Sequence, residues 1–93
     1  MPEEEQLRVS SSTSCQKLGG ALAGIISKGR TPTMVCIGAG AINQAVKAMI
    51  IARRMSSISG YDLVFVPAFV TLNLSEEGGK EDVTAVMFKV LTR

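Results

Sequence analysis

The 93-residue sequence contains no histidine and only two cysteines, Cys15 and Cys36. Two thiols without histidine cannot complete a usual zinc site, and they are too few for a disulfide framework. Without histidine, the serines at positions 10 to 14 have no adjacent base in any recognisable motif. We therefore expect a binding protein that is not an enzyme, with no metal, no cofactor and no small-molecule substrate.

The two cysteines have different expected environments. Cys36 lies within an apolar strand-like segment and is expected in the core. Cys15 lies near a predicted helix start, where it is either a partly buried cysteine or a thiol made reactive by the helix terminus.

Long apolar runs are also missing from the sequence. The longest, Leu63 to Val70, suits a buried strand, whereas a membrane helix needs about 18 or more apolar residues. Three glutamates, Glu3 to Glu5, stand where a secretory signal would have a basic start followed by an apolar run. We expect a cytoplasmic protein in which residues 1 to 5 form a disordered acidic tail and residues 6 to 93 form one domain.

The chain is apolar for its size, with 46% hydrophobic residues. A single small domain cannot easily hide this much apolar surface, so we expect a homodimer or a higher homo-oligomer. The net charge is only +2, but most acids are confined to the tail and to the segment 76 to 82. The remaining surface is expected to be basic or neutral.

The apolar periodicity predicts six elements in the order β-α-β-α-β-β. Two successive βα units imply parallel strands with both helices on one side, and the last two strands form a hairpin, giving an α+β fold with a mixed four-stranded sheet. Pro67 cannot donate a backbone hydrogen bond, so it predicts a bulge or an edge position. The predicted elements are a strand at 6 to 11, helices at 15 to 28 and 41 to 55, and strands at 34 to 37, 62 to 74 and 83 to 91.

The predicted second helix carries a narrow polar stripe. At about 100° per residue, Asn43, Lys47 and Arg54 share one face, with Gln44 and Arg53 on either side. This stripe is either the solvated face of a buried helix or a surface that contacts nucleic acid.

The predicted first helix has a second small basic face. On this face, Lys17 and Lys28 lie on either side of Ala21 and Gly24. Gly20 is a further residue without a side chain, so the surface of the helix is flat in this region. Glycines in a helix interior indicate either close helix packing, which is the favoured interpretation, or a surface that a ligand can approach.

The segment Gly38-Ala39-Gly40 opens the second helix after a strand. It is not a dinucleotide-binding fingerprint, because Asn43 occupies the third glycine position. Glycines at a helix start nevertheless allow close approach to free backbone N–H groups, which attract phosphate. In the hairpin, Phe65 and Phe69 either stack bases or, as we favour, bury against a partner chain.

Three segments, GGALAGIISKG (19 to 29), IGAGAINQAVKAMIIAR (37 to 53) and DLVFVPAF (62 to 69), resemble the stage V sporulation protein S family. The resemblance implies a small bacterial regulator of sporulation or related development, with an Alba-like two-layer sandwich and DNA or RNA as partner. The candidate phosphate contacts are Lys17, Gly38, Gly40, Asn43, Lys47 and Arg54, with Lys28 and Arg53 as secondary basic residues.

The sequence departs from the wider Alba group in two places. That group carries an arginine-glycine-arginine before its helix and has basic hairpin arms, whereas this chain has Gly38 and Gly40 and an acidic segment at 76 to 82. Phosphates would repel an acidic arm. The alternative is a non-enzymatic interaction or scaffold protein, and the choice between DNA and RNA stays open.

Overall fold

The computed structural model describes residues 4–73 and 82–93. The order of elements is β-α-β-α-β-β, as the sequence predicted. The elements are β1 (Glu4–Val9), α1 (Cys15–Ser27), β2 (Thr31–Cys36), α2 (Ala39–Ile58), β3 (Leu63–Asn73) and β4 (Asp82–Thr92).

The four strands form one mixed sheet in the order β1-β2-β4-β3. Strands β1 and β2 are parallel, and β4 lies antiparallel to both β2 and β3. Strand β3 is therefore an edge strand. Pro67 lies opposite Phe88 within an unbroken register, so the predicted edge position is confirmed and the alternative bulge does not occur.

Local sequence sets the ends of α1. The Ser14 hydroxyl accepts a hydrogen bond from the Lys17 N–H at 3.2 Å, which caps the first turn. Gly29 follows the helix with a φ of 79°, and its N–H donates to the Ile26 carbonyl at 2.9 Å. This left-handed glycine terminates the helix and directs the chain into β2.

Both helices pack on one face of the sheet. Each helix runs back along the strand before it, and because β1 and β2 are parallel, α1 and α2 run in the same direction. Four alanines recur at helical spacing along the buried side of α2 and allow close packing. The core contains Val9, Leu18, Leu22, Ile26, Met34, Cys36, Ala41, Ala45, Ala48, Met49, Ala52, Leu63 and Val90, which confirms the core position of Cys36.

The boundaries of β1 and α2 differ from the sequence prediction. Strand β1 begins at Glu4, so the predicted acidic tail overlaps the sheet at Glu4 and Glu5, where an ion pair of 2.7 Å joins Glu5 to Arg30. Residues 1–3 lie outside the described residues, as does the predicted acidic segment at 76 to 82 except for Asp82. Helix α2 is longer than predicted and ends at Ile58.

The hairpin is longer than the parallel pair beside it. Strands β3 and β4 each have 11 residues, against six in β1 and β2. Cys36, the last residue of β2, pairs with Val86, and Val86 pairs with Phe69. The hairpin therefore extends beyond the sheet from Phe69 onwards. Neither helix of the described chain combines the length and the apolar character that crossing a membrane requires.

Candidate nucleic-acid interface

The helix layer carries only positive charge. Neither α1 nor α2 contains an acidic residue, whereas Lys17, Lys47, Arg53 and Arg54 are all exposed on them and Lys28 follows α1 directly. Acidic residues in the described segments lie on strands or, in the case of Asp62, just before β3. The fold therefore separates the basic helices from the acidic groups.

The predicted stripe on α2 is exposed, but it is not purely polar. Asn43, Lys47 and Arg54 lie opposite the buried alanines, as the helical spacing requires. Ile50 lies between Lys47 and Arg54, roughly 20° from Asn43 on the helical projection, and it is 54% exposed. The outer face of α2 is thus a basic stripe interrupted by an isoleucine.

The Gln44 side chain is held in place by hydrogen bonds and is not free to contact a ligand. Its Nε2 donates to the Thr13 carbonyl at 2.8 Å, and its Oε1 accepts a weaker hydrogen bond from Asn43 at 3.4 Å. Gln44 therefore joins α2 to the loop between β1 and α1, and it orients the Asn43 amide.

The two helices pack directly against each other. Gly19 of α1 is so close to α2 that a Cβ atom there would lie 3.0 Å from the carbonyl oxygen of Ala48. Lys17 and Lys47 lie close to these two residues along the chain, so they are at a similar level, but Lys17 is about 160° around α1 from Gly19 and lies on the side away from α2. Arg54 follows Lys47 by seven residues, roughly 10 Å along the same helix. Lys28 lies at the opposite end of α1 from Lys17.

Among the basic residues of α1 and α2, Arg53 is the one that has an acidic partner in the described part of the chain. Its Nε lies 3.5 Å from Asp62 Oδ1, and Arg93 Nη2 lies 2.7 Å from Asp62 Oδ2. The hydrogen bond from Arg93, with the nearby charge of Arg53, lowers the pKa of the Asp62 carboxyl below its ordinary value. Within residues 4–73 and 82–93, no carboxylate pairs with Lys47 or Arg54.

The glycines at the start of α2 border an open crevice of about 690 Å³. Gly38 has a φ of 90° and no side-chain cap, and the first intrahelical bond runs from the Ile42 N–H to the Gly38 carbonyl at 3.2 Å. The preceding N–H groups of the helix are directed towards its end, where they favour an anion. A Cβ on Gly40 would lie 2.7 Å from the Cβ of Ser11, so glycine is required there for close loop packing.

Arg8 is a residue that the sequence analysis missed. It is exposed at the carboxyl end of β1 and lines this crevice with Ser10, Ser11 and Thr13. The Ser10 N–H donates to Thr13 Oγ1 at 2.8 Å, which holds the loop in a tight turn. The order of elements could have indicated this position. The carboxyl ends of parallel strands meet at one edge of a sheet, so a residue near the end of β1 lies close to the segment that follows β2.

The predicted site residues fall into two groups in the structure. Lys17, Asn43, Lys47 and Arg54 lie on the helix layer, whereas Gly38 and Gly40 lie at its end, in the crevice. Gly38 and Arg54 are 16 residues apart along α2, roughly 24 Å. A single small ligand cannot reach both groups, but an extended polyanion can.

The comparison with protein families agrees with the resemblance in the sequence. The family model of stage V sporulation protein S (SpoVS) matches residues 5–93, which is nearly the whole chain. The match spans both helices and all but the first residue of the sheet described above. The chain therefore belongs to the stage V sporulation protein S family.

Proposed function

We propose that this sporulation-related regulatory protein acts by binding nucleic acid, as a dimer that contacts phosphates through its helix layer. The observation that carries the proposal is the absence of acidic residues from both helices, together with the exposed cations on their outer faces. A merely solvated helix surface normally mixes both signs of charge. A surface of one sign favours a polyanion.

The spacing of the basic residues suits the extended phosphate backbone of a nucleic acid better than a compact anion. Lys17 is exposed on α1, and Lys47 and Arg54 are exposed along the outer face of α2. Each can contact a separate phosphate, and such contacts carry no base readout. Affinity should then depend weakly on sequence and strongly on salt.

The crevice at Gly38 and Gly40 offers a further phosphate contact at the end of the layer. Backbone N–H groups and the Arg8 guanidinium are both suited to a phosphate oxygen. Its distance from Arg54 indicates that it would meet a different phosphate of the same strand or duplex.

A scaffold role is the second candidate, and the apolar side chains on the surface favour it. Phe69 is 81% exposed and Ile58 is 88% exposed. In that case the basic residues keep the assembly soluble. Salt separates the two functions, because phosphate contacts weaken steeply as salt rises and apolar contacts do not.

The test is an electrophoretic shift panel with single-stranded and duplex DNA and RNA at several salt concentrations. Replacing Lys47 and Arg54 together by glutamine should lower the slope of log affinity against log salt by about two and weaken binding to all sequences alike. The matched control replaces Gln6 and Ala68 by glutamate, which changes the net charge equally at exposed strand positions on the face of the sheet away from the helices.

The two double variants give a clear decision. If the strand variant loses as much affinity as the helix variant, net charge and not the helix layer determines binding. If the wild-type protein binds none of the four nucleic acids at low salt, the scaffold function replaces the proposal.

A further inference from the structure

Packing within the described residues does not require glycine at two positions in the interior of α1. A Cβ atom on Gly20 or Gly24 would meet nothing within 4 Å, whereas a Cβ on the neighbouring Gly19 would overlap α2. Close helix packing, the interpretation favoured from the sequence, therefore does not apply to Gly20 and Gly24. Glycine inside a helix is less stable than alanine, so its presence needs another reason. A surface that a ligand approaches closely is the other interpretation.

Both glycines line an open groove between α1 and the end of α2, which we call the helix groove. It has a volume of about 280 Å³. This is close to the lower limit of about 300 Å³ for pockets that hold organic ligands, so the groove can accept one planar ring system. The lining residues are Gly20, Ala23, Gly24 and Ser27 of α1, Met55 and Ser56 of α2, and Ser59 and Tyr61.

The helix groove contains a buried hydroxyl without a partner. Ser56 is 4% exposed, and its Oγ makes no hydrogen bond within the described residues. Buried polar side chains are normally paired, because an unpaired one costs free energy. Ser56 lines the groove, so a ligand group can supply the missing partner once the hydroxyl turns towards it about the Cα–Cβ bond. The hydroxyl and the open space at the glycines thus indicate the same ligand site.

The side chains that line the helix groove suit a planar heterocycle. Tyr61 supplies an exposed aromatic side chain, and Met55 supplies an exposed apolar one. The Ser27 hydroxyl donates to the Gly24 carbonyl at 2.8 Å, which leaves its oxygen free to accept a hydrogen bond from a ligand. Nucleobases have flat faces that stack on such side chains and edges that carry both donors and acceptors. The helix groove therefore matches a nucleobase in chemistry as well as in size.

Cations lie beside the helix groove on both helices. Lys28 directly follows Ser27 at the end of α1, and Arg54 precedes Met55 on α2. Arg54 and Met55 also line a shallow depression next to the groove, so Met55 separates the guanidinium from the groove itself. None of the described residues that line the groove is acidic. A nucleotide whose base enters the groove can therefore place its phosphate at Arg54.

We propose that the helix groove binds one unpaired nucleobase of a single-stranded nucleic acid, with the adjoining phosphate at Arg54. This inference rests on the proposed function and adds to it a preference for single strands. Each base of a duplex is stacked and paired, so it cannot enter a groove between two helices without being extruded. Phosphate contacts alone carry no readout of the bases.

The experiment compares an ordinary single strand with an abasic strand that has the same number of phosphates. Fluorescence anisotropy measures binding of the full chain to strands of about ten nucleotides, of DNA and of RNA, at one salt concentration. The abasic strand keeps every phosphate contact but cannot fill the helix groove. The wild type should bind the ordinary strand about tenfold more tightly, because one stacked base contributes affinity of this order.

Gly24→Leu should abolish this difference by filling the helix groove. Leucine is a good helix former and the space beside Gly24 is empty, so the variant should fold. Its affinities for the abasic strand and for a duplex should stay at the wild-type values. Ala21→Leu is the matched control, since it adds the same side chain at an exposed position of α1 outside the groove. Circular dichroism checks the fold, and Gly20→Leu replaces Gly24→Leu if that variant is unfolded.

Ser56→Ala tests the hydroxyl without filling the helix groove. It should weaken binding of the ordinary strand several-fold and leave binding of the abasic strand unchanged. The Tm of the free protein should not fall, because the hydroxyl that is removed has no partner there. A purely structural role for Ser56 would instead lower Tm and leave the preference for the ordinary strand intact.

The outcomes separate this inference from the proposed function. Equal affinity of the wild type for the ordinary and abasic strands would exclude base binding and leave the phosphate contacts standing. A preference that persists in the folded leucine variant, or that disappears equally in Ala21→Leu, would place the bound base outside the helix groove. A less stable Ser56→Ala variant with an unchanged preference would remove Ser56 from the site. If the wild type binds no strand and no duplex at low salt, the proposed function fails and this inference fails with it.

Discussion

Replacing Gly19 by alanine should separate the two helices that carry the basic faces. A Cβ at this position would lie 2.7 Å from Ile51 Cγ2, 2.8 Å from Ile51 Cβ and 3.0 Å from the Ala48 carbonyl oxygen. The last two atoms belong to the backbone or are fixed to it, so a rotamer change in Ile51 cannot relieve the overlap. The helices must move apart.

The magnitude follows from two opposing effects. Alanine is favoured over glycine in a helix interior by about 1 kcal/mol. Overpacking of a close contact costs typically 1–3 kcal/mol, and the upper part of that range applies because backbone must move. The free energy of unfolding should therefore fall by about 1–2 kcal/mol, which lowers Tm by roughly 5–15 °C in a domain of this size.

Gly24→Ala is the matched control on the same helix. A Cβ at Gly24 would meet nothing within 4 Å. Only the higher helix propensity of alanine then acts, so the free energy of unfolding of Gly24→Ala should rise by up to about 1 kcal/mol. Urea denaturation at one fixed protein concentration measures both variants, since association alters apparent stability. Equal stability of the two variants would refute the argument that Gly19 is required for close helix packing.

Two further predictions concern titratable groups. Ellman's reagent should modify Cys15 in the native protein but Cys36 only on unfolding, because Cys36 is fully buried and burial raises the pKa of its thiol; rapid modification of both thiols would contradict this. Arg93 lowers the pKa of folded Asp62, so the stabilisation is present above the ordinary aspartate pKa of about 3.9 and is lost as pH falls through the lowered value. The wild type should therefore be more stable than Asp62→Asn in urea near pH 7, with the difference shrinking at acid pH, and a constant difference would exclude the carboxylate as its source.

The order of elements could be predicted because each one has its own apolar period. Leu18, Leu22, Ile25 and Ile26 repeat at helical spacing and are all buried. The ends of α2 were less predictable, since the helix continues to Ile58 through Ser56, a buried polar residue. Local composition marks such ends poorly, because tertiary burial can extend a helix beyond its apolar repeat.

The charged residues of the candidate site could be predicted from the sequence, but which of them lie together in the structure could not. Spacing along α2 placed Lys47 and Arg54 on one face, because one helix fixes their relation. The same spacing places Ile50 between them, yet its exposure depends on where α2 meets the sheet. Arg8 required knowledge of which strands are parallel neighbours. Pairing across the sheet is a long-range property that no local pattern contains.

Nucleic-acid binding through the basic helix layer is thermodynamically linked to the dimer in the proposed function. Phosphate contacts release counterions and weaken as salt rises. An apolar dimer interface does not weaken in this way, and salt also screens the repulsion between the positively charged helix layers of two copies. If the dimer presents a doubled basic surface, nucleic acid binds the dimer better than the monomer, and by linkage it must also promote dimerisation. A titration below the dimer dissociation constant should then rise more steeply than a single-site curve, and a titration above that constant, where the dimer is already formed, should lose this steepness.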